Sequence, residues 1–414
     1  MIKKTKTILI FLLIFIIILI IISVNNSDSK KTIKNIISIT GIKFVDKQNE
    51  EQARDFDIIV NNDIIYDKIL KGGEIGFAES YMDKDWDSKN LEKTLAILKQ
   101  KEDNLLQKVK SNSFNFFVSV SLINLKDYFT LKNTIEKSKD NISHHYDIGN
   151  DLYEKMIGKT MQYTCAYYNE PDLTLDEAQT RKMNLIAKKL NLKKGQEVLD
   201  IGCGFGSMAY FLATRFDVKV TGVTISTKQK EFADKNYKHP NVKILFKDYR
   251  HVNGKYDRVY SIGMFEAIGR ANHKEYYDKC YDLLKDDGIM MIHTIGTADR
   301  DYNNGSGGFI DKYIFPEGEL PHLSHFTKSF TDKWHLEDFQ NFGLSYHKTL
   351  RAWRKNIGNW EGLENYNERF RRMWDYYLLG CAGAFSIKVL YLYHLVYTKK
   401  NYKHVKDLYY IRDC

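Results

Sequence analysis

One short segment, residues 198–206, constrains the fold of this chain more than any other part of its sequence. It reads Val-Leu-Asp-Ile-Gly-Cys-Gly-Phe-Gly: an apolar strand that ends in an acid and opens into three glycines at alternate positions. A helical pattern follows over residues 208–214, so the segment predicts a strand, a tight turn and a helix. Glycines at such a turn let the backbone approach a ligand closely at the N-terminus of the helix.

The spacing of the glycines narrows the class of ligand. Gly202, Gly204 and Gly206 form G-x-G-x-G, whereas nicotinamide and flavin enzymes carry G-x-G-x-x-G. Asp200 lies directly before the turn, and an acid there suits a ligand with a cationic amino-acid portion, such as S-adenosylmethionine. A glycine turn alone is weak evidence, so this interpretation rests on the strand, the acid and the turn together.

Strand and helix patterns alternate from about residue 138 onward. The candidate strands are residues 197–201, 218–223, 242–246, 258–262 and 288–294. This alternation predicts an α/β fold, in which helices cover both faces of a parallel sheet. The tail at 387–397 is β-branched and aromatic, and we expect it to end the sheet as an antiparallel edge strand.

A smaller, mostly helical domain is expected over residues 36–137, ahead of a catalytic domain over residues 138–414. Apolar residues recur at helical spacing over 91–98 and 105–109. A short strand pair is expected nearby. Its strands are residues 56–60 and 64–66, joined by an Asn-Asn-Asp turn.

The N-terminus carries a lysine-rich start and an unbroken apolar run over residues 8–22. Export signals and short membrane anchors share this pattern. Because no small-residue cleavage site follows, we expect an uncleaved membrane anchor over residues 1–24 and a polar linker over residues 25–35. Lysines flank the run on both sides and do not fix its orientation. The expected cofactor and the free thiols favour a cytosolic catalytic domain.

The composition of the chain limits the kinds of partner that it can be expected to bind. The net charge of +9 suits nucleic acid or an anionic membrane surface. No zinc-finger spacing or RNA-binding aromatic motif accompanies it, so we favour a phospholipid bilayer and expect no nucleic acid. The five cysteines are widely spaced and odd in number. They indicate neither a disulfide framework nor a metal site.

Ligands of a parallel sheet bind beyond the carboxyl ends of its strands. The segment 224–229 follows the second strand and lacks the acid that commonly holds ribose hydroxyls, so Thr224 and Gln229 are expected to take that role. Tyr249 follows the third strand and is a candidate to flank an adenine.

Two titratable side chains lie at neighbouring strand ends. Glu266 follows the fourth strand, while His293 and Ile295 lie on one face of the fifth. Glu266 also fits a simple helix N-terminal acid, and His293 fits a core histidine. Their position beside the cofactor turn favours a catalytic pair. Cys165 has an uncharged aromatic setting, which argues against a nucleophilic thiolate.

Several motifs together resemble the cyclopropane-fatty-acyl-phospholipid synthase family, whose members are similar to mycolic acid cyclopropane synthases. The motifs are residues 76–83 (GFAESYMD), 145–150 (HYDIGN), 163–167 (YTCAY), the 198–206 turn, 224–229 (TISTKQ), 293–296 (HTIG), 312–316 (KYIFP) and 381–385 (CAGAF). The resemblance covers nearly everything after the apolar run. It implies a Rossmann-like class I S-adenosylmethionine-dependent methyltransferase sheet and a lipid-associated small domain.

The resemblance also implies an activity and a set of site residues. The activity is transfer of a methylene group from S-adenosylmethionine to the cis double bond of unsaturated phospholipid acyl chains, through a carbocation deprotonated by bound bicarbonate. The implied cofactor contacts are Tyr163, Thr164, Val198, Leu199, Asp200, Ile201, Gly202, Cys203, Gly204, Phe205, Gly206, Thr224, Ile225, Ser226, Thr227, Lys228, Gln229 and Tyr249. The implied bicarbonate ligands are Cys165, Glu266, His293, Ile295 and Tyr346.

Some assignments stay open. Cys381 matches a cysteine sometimes described as catalytic, yet its Gly-Cys-Ala-Gly-Ala context reads as close helix packing. Ala267 stands where the family usually has a histidine. Tyr167, Tyr168 and Phe265 are candidates for cation–π support. The alternatives are a methyl-branching lipid enzyme, an amine methyltransferase or a non-catalytic lipid-binding relative. A homodimer is possible.

Overall fold

The computed structural model describes residues 29–112, 149–297, 308–316, 318–329 and 332–408. The chain divides into two units: residues 1–129 with 368–376, and residues 130–367 with 377–414. The expected boundary between residues 137 and 138 lies outside the described ranges and stays a prediction. So do residues 145–148 of the HYDIGN motif.

The first unit combines helices with a three-stranded sheet. Its elements are α1 (Ser29–Ile37), β1 (Phe44–Asp46), β2 (Ile58–Val60), α2 (Ile64–Met82), β3 (Trp86–Asp87), α3 (Leu91–Gln100) and α4 (Glu102–Asn112). Strand β2 pairs parallel with β1 and antiparallel with β3. The helices expected from apolar spacing are α3 and α4.

The expected strand at 64–66 is wrong, because these residues begin helix α2. The Asn62 side chain accepts a hydrogen bond from the Ile64 amide over 3.1 Å. The amides of Ile65 and Tyr66 donate to the backbone carbonyls of Asn62 and Asp63. Asparagine and aspartate satisfy the free amides of a first helical turn, so the Asn-Asn-Asp segment starts a helix here.

The second unit is built on a seven-stranded sheet. Its strands are β4 (Glu197–Ile201), β5 (Lys219–Thr224), β6 (Val242–Phe246), β7 (Tyr256–Ile262), β8 (Leu284–Thr297), β9 (Trp334–Asn341) and β10 (Leu390–Lys399). The spatial order is β6-β5-β4-β7-β8-β10-β9. Strands β4 to β8 run parallel, as expected, and β10 runs antiparallel to both β8 and β9.

Helices cover both faces of this sheet, which confirms the expected α/β architecture. The helices of this unit are α5 (Asn150–Ile157), α6 (Leu175–Lys189), α7 (Ser207–Phe216), α8 (Thr227–Asn236), α9 (His273–Leu283), α10 (Phe309–Tyr313), α11 (Leu323–Ser329), α12 (Leu344–Ile357) and, from residue 377 onward, α13 (Glu368–Ser386). On one face, β4 residues Leu199 and Ile201 share a core with α9. On the other face, Val198 packs with α6 and α7.

The predicted edge strand is wrong in its position. Strand β10 lies inside the sheet, and β9 forms that edge. Almost every residue of β10 is buried, as in strands covered on both faces. Strand β9 carries polar residues at most positions and is half exposed, which suits an edge. Its weak apolar pattern explains why the sequence did not reveal it.

No helix within the described ranges is long and apolar enough to cross a bilayer. This finding contradicts the predicted membrane localisation through a single N-terminal segment. The apolar run at 8–22, on which that prediction rested, lies outside the described residues.

Candidate active site

The glycine turn joins β4 to α7 at the carboxyl edge of the sheet. Gly202, Gly204 and Gly206 have φ angles of +75°, +54° and +83°, in the left-handed region that favours glycine. A Cβ on Gly202 would lie 2.7 Å from the Met264 side chain, and one on Gly206 would lie 2.8 Å from Ala233 Cβ. A Cβ on Gly204 would meet nothing within 4 Å. Gly202 and Gly206 therefore permit close packing, whereas Gly204 borders open space.

Asp200, at the end of β4, is buried and accepts a 2.8 Å hydrogen bond from the Tyr260 hydroxyl. Burial raises the pKa of the Asp200 carboxyl to about 7, although the bond from Tyr260 opposes this shift. A nearby cation would favour the carboxylate form. The residue therefore fits a cationic amino-acid ligand, as the sequence predicts.

The segment after β5 is internally bonded. Thr224 Oγ1 donates to Gln229 Oε1 over 2.9 Å, and Ser226 Oγ caps helix α8 by accepting the Gln229 amide over 3.3 Å. Ile225 is half-buried, while Thr227 and Lys228 are exposed. Thr224 and Gln229 thus reach the carboxyl edge as a bonded pair.

Tyr249 follows β6 and is buried, with its ring edge-on to Tyr276 at a centroid distance of 5.5 Å. Its neighbour Asp248 is also buried and pairs with Arg250, whose Nε and Nη2 donate over 2.9 and 2.8 Å. Asp248 was not among the residues predicted for the site. Its position just after β6 and beside Tyr249 is the sequence feature that could have identified it.

Glu266 has one bonded and one free carboxylate oxygen. Oε1 accepts the Ile295 amide over 2.7 Å. Oε2 is buried and has no hydrogen-bond partner within the described residues. Burial raises the pKa of the Glu266 carboxyl to about 7. A buried oxygen without a partner is costly to leave unbonded, so this atom is the natural contact for a reacting group or a small ligand.

Tyr346, on helix α12, lies near Glu266 and near other residues that are far from both along the chain. Burial raises the pKa of the Tyr346 hydroxyl well above its ordinary value, and the nearby Cys165, Tyr163 and Glu266 raise it further, followed by Cys381. Three of the other five predicted catalytic residues, Cys165, Glu266 and Cys381, are therefore near enough to the Tyr346 hydroxyl to influence its ionisation. Ile295 joins them through its amide.

His293 has a different immediate partner. Its Nδ1 lies 2.8 Å from Nε2 of His394, its register partner on β10. Both side chains are buried. Burial lowers the pKa of His293 well below its ordinary value, and Lys182 and Lys189 lower it further. His293 is therefore a neutral imidazole held by a second imidazole, which the sequence did not indicate.

The two thiols of the site stay protonated. Burial raises the pKa of Cys165 well above its ordinary value and that of Cys381 to about 12. This agrees with the expectation that Cys165 is no nucleophile. Within the described ranges, no group of His, Cys, Asp or Glu residues could hold a metal ion.

Aromatic residues surround the gathered groups, but they are not all those expected. Tyr163 stacks on Trp353 with centroids 5.0 Å apart, and its hydroxyl is 2.9 Å from that of Tyr377. Phe265 is instead buried in the core beneath the sheet, against Phe326. Tyr153 also packs edge-on against Tyr163, but Trp353 and Tyr377 lie roughly two hundred residues away along the chain, where no local pattern marks them.

This arrangement of a parallel sheet, a glycine turn open at Gly204 and an acid at the strand end defines a class I S-adenosylmethionine-dependent methyltransferase. Residues 133–395 match the family model of mycolic acid cyclopropane synthetase. The chain belongs to this family.

Several named proteins are similar to this chain over much of its length. The chain is 38% identical over 346 residues to the cyclopropane-fatty-acyl-phospholipid synthase of Escherichia coli strain K12, a match that covers 83% of this chain and 88% of that protein. It is 37% identical over 270 residues to a probable fatty acid methyltransferase of Pseudomonas putida, covering 62% of this chain and 68% of that protein. A solved mycolic acid cyclopropane synthase, CmaA1 with SAH and CTAB, superposes with a TM-score of 0.58. It is 29% identical and covers 65% of this chain and 99% of its own.

Proposed function

We propose that this enzyme transfers a methylene group from S-adenosylmethionine to the cis double bond of unsaturated phospholipid acyl chains, forming cyclopropane fatty acids. The observation that carries the proposal is the buried Oε2 of Glu266, which has no hydrogen-bond partner in the part of the chain that the structure describes, near the hydroxyl of Tyr346. The names of the relatives support the same chemistry, since one is a synthase of cyclopropane fatty acyl phospholipids.

The glycine turn would hold the cofactor at Gly204, with Asp200, the Thr224–Gln229 pair and Tyr249 as further contacts. When bound, S-adenosylmethionine supplies an electrophilic methyl group. Packing at Gly202 and Gly206 fixes the turn, so the contact surface is formed before binding.

The residues around Tyr346 suit the second half of the reaction. Adding a methyl group to an alkene leaves a carbocation on the acyl chain, and ring closure requires loss of a proton from the new methyl group. Aromatic rings and buried thiols exclude water that would quench the cation. Their faces also stabilise positive charge. Glu266 Oε2 lies in this setting as a buried side-chain oxygen that can hold the base which accepts the proton.

Bicarbonate is the second group proposed for the site. Cys165, Glu266, His293, Ile295 and Tyr346 would hold it, and it would supply a base. Glu266 fits this role because a carboxyl with a pKa of about 7 can carry a proton on Oε2 and donate it to an anion. The amide of Ile295 and Nδ1 of His293 already have protein partners. The Tyr346 hydroxyl and Glu266 are therefore the leading contacts.

The substrate assignment is tested with methyl-labelled S-adenosylmethionine and phospholipid vesicles. One set contains cis-unsaturated acyl chains and a matched set contains saturated chains with the same headgroup. Saponification then separates acyl chains from headgroups. We expect label only in acyl chains of the unsaturated set. Label in the headgroup would indicate an amine methyltransferase, and no label in either fraction would indicate a non-catalytic relative.

A further inference from the structure

Helix α6 carries two buried lysines, Lys182 and Lys189, seven residues apart and hence on one face. Lys189 Nζ donates to the carboxylate of Asp338 and to Gln340, each over 2.7 Å. Lys182 Nζ donates to two neutral oxygens, Gln162 Oε1 and Thr164 Oγ1, also over 2.7 Å. Lys189 is balanced by a carboxylate, whereas the hydrogen bonds of Lys182 among the described residues go only to uncharged groups.

Burying an ammonium group beside neutral oxygens is unfavourable. Burial accordingly lowers the pKa of Lys182 to about 7. A methionine would fill a similar volume without this cost. The two hydrogen bonds of Lys182 are therefore what distinguishes it from a residue that only fills space.

Those bonds hold residues 161–166, a segment outside the helices and strands in which the side chains of residues 162 to 165 have different partners in turn. Gln162 and Thr164 turn toward α6 through their bonds to Lys182. Tyr163 contacts Trp353 and Tyr377, and Cys165 lies among the groups near Tyr346. The orientation of the even-numbered residues thus sets that of the odd-numbered residues at the reaction centre.

The backbone of the same segment is also held. Gln179, one turn before Lys182, donates through Nε2 to the carbonyls of Gln162 and Thr164 over 3.2 and 2.8 Å. Gln162 Nε2 donates to Ser207 Oγ over 2.5 Å. Ser207 begins α7, directly after the glycine turn. The segment is therefore tied to α6 on one side and to the cofactor turn on the other.

We propose that Lys182 is a positioning residue, which holds segment 161–166 so that Tyr163 and Cys165 face the reaction centre and the glycine turn keeps its register with them. This inference rests on the proposed function for its catalytic readout. Cofactor affinity provides a second readout that does not depend on the lipid substrate.

The test compares Lys182→Met with Lys189→Met, since both remove a buried lysine from one helix face. For Lys182→Met we expect kcat to fall and the dissociation constant for S-adenosylmethionine to rise, each by roughly 10- to 100-fold, because small misplacements at a reaction centre have effects of that size. For Lys189→Met we expect a lower Tm, because Asp338 loses its cation, but kcat and affinity within about threefold of the parent. Lys182→Met with parental kcat and affinity would overturn the proposal.

A second pair of variants keeps Lys182 and alters its partner. Gln162→Leu removes both the acceptor for Lys182 and the donor to Ser207, whereas Gln162→Glu retains the acceptor, adds a negative charge and can accept a hydrogen bond from the Ser207 hydroxyl in place of the lost donor. We expect Gln162→Leu to weaken cofactor binding and Gln162→Glu to retain it. Equal effects of the two substitutions, or none from either, would contradict the positioning role even if Lys182→Met fails to fold. If the parent enzyme proves inactive on lipids, the proposed function fails while the affinity measurements still decide this inference.

Discussion

The two halves of the proposed site, one for the cofactor and one for the reaction, are built in different ways. Most of the cofactor half comes from short continuous segments, the glycine turn and residues 224–229, at the ends of adjacent strands. The reaction half is assembled from five separate stretches of chain, which supply Cys165, Glu266, Ile295, Tyr346 and Cys381. Local sequence therefore specifies the first half, whereas tertiary packing specifies the second.

The acidic residues of the two halves also differ in their hydrogen bonds. Asp200 in the cofactor half accepts a bond from Tyr260, while Glu266 in the reaction half keeps one oxygen without a partner in the described residues. Both carboxyl groups have a pKa raised to about 7 by burial. Asp200 thus has a hydrogen-bond donor before any ligand binds, whereas Glu266 has a carboxylate oxygen that remains for a reacting group.

The largest expected effect is a loss of turnover without a loss of cofactor binding, on substitution of Glu266. Glu266→Gln keeps the shape of the side chain and the contact to the Ile295 amide but removes the ionisable carboxyl group that orients bicarbonate, the proposed base. We expect kcat to fall by about 10²- to 10⁴-fold, the usual contribution of a positioned acid or base. Cofactor affinity measured by calorimetry should change by less than about threefold. A parallel loss of affinity and turnover would break the distinction between the halves.

Stability should depend on pH through both acids. Their folded-state pKa lies above the unfolded value, so between about pH 4 and pH 7 the folded state binds protons that the unfolded state releases. The free energy of unfolding should therefore fall as pH rises through this window, by up to about 4 kcal/mol per group. Denaturation curves of Glu266→Gln should show a flatter dependence than the parent. An unchanged slope would mean that Glu266 is ionised across the window.

Gly204 in the glycine turn and Gly195, which precedes β4, form a matched pair for substitution. Gly204 and Gly195 both have positive φ, and a Cβ on either would meet nothing within 4 Å. Each change to alanine should cost about 1–2 kcal/mol of stability through backbone strain. Only Gly204→Ala should also weaken S-adenosylmethionine binding, by about tenfold or more, because its Cβ occupies ligand space. Equal affinities in the two variants would remove Gly204 from the cofactor site.

The smallest effect is expected at Cys165. Burial keeps the pKa of its thiol high, so no thiolate attacks the substrate. Cys165→Ser should retain at least about a tenth of parental kcat, since only packing and a weak hydrogen bond change. Complete inactivity in a folded variant with parental cofactor affinity would show that the sulfur takes part in the reaction.

The sequence predicted the parts of the molecule that local patterns encode. Strands β4 to β8 follow from apolar runs bounded by turns, and Gly204 follows from its motif. The cofactor contact at Thr164 stays a prediction, whereas the hydrogen bond that its hydroxyl accepts from Lys182 was not predicted. The pairing of His293 with His394 depends on antiparallel register between strands about a hundred residues apart. No periodicity encodes such a contact, and the resemblance did not include it.

The most direct test of the account follows the hydrogen atoms of the transferred group. The enzyme is supplied with S-adenosylmethionine whose methyl group carries three deuterium atoms, together with cis-unsaturated phospholipid, and the acyl products are weighed by mass spectrometry. Methyl transfer followed by proton removal in the reaction half predicts a ring methylene that retains two deuterium atoms, with loss of the double bond. An acyl product that retains all three deuterium atoms would contradict the account, because no proton would have left the transferred methyl group.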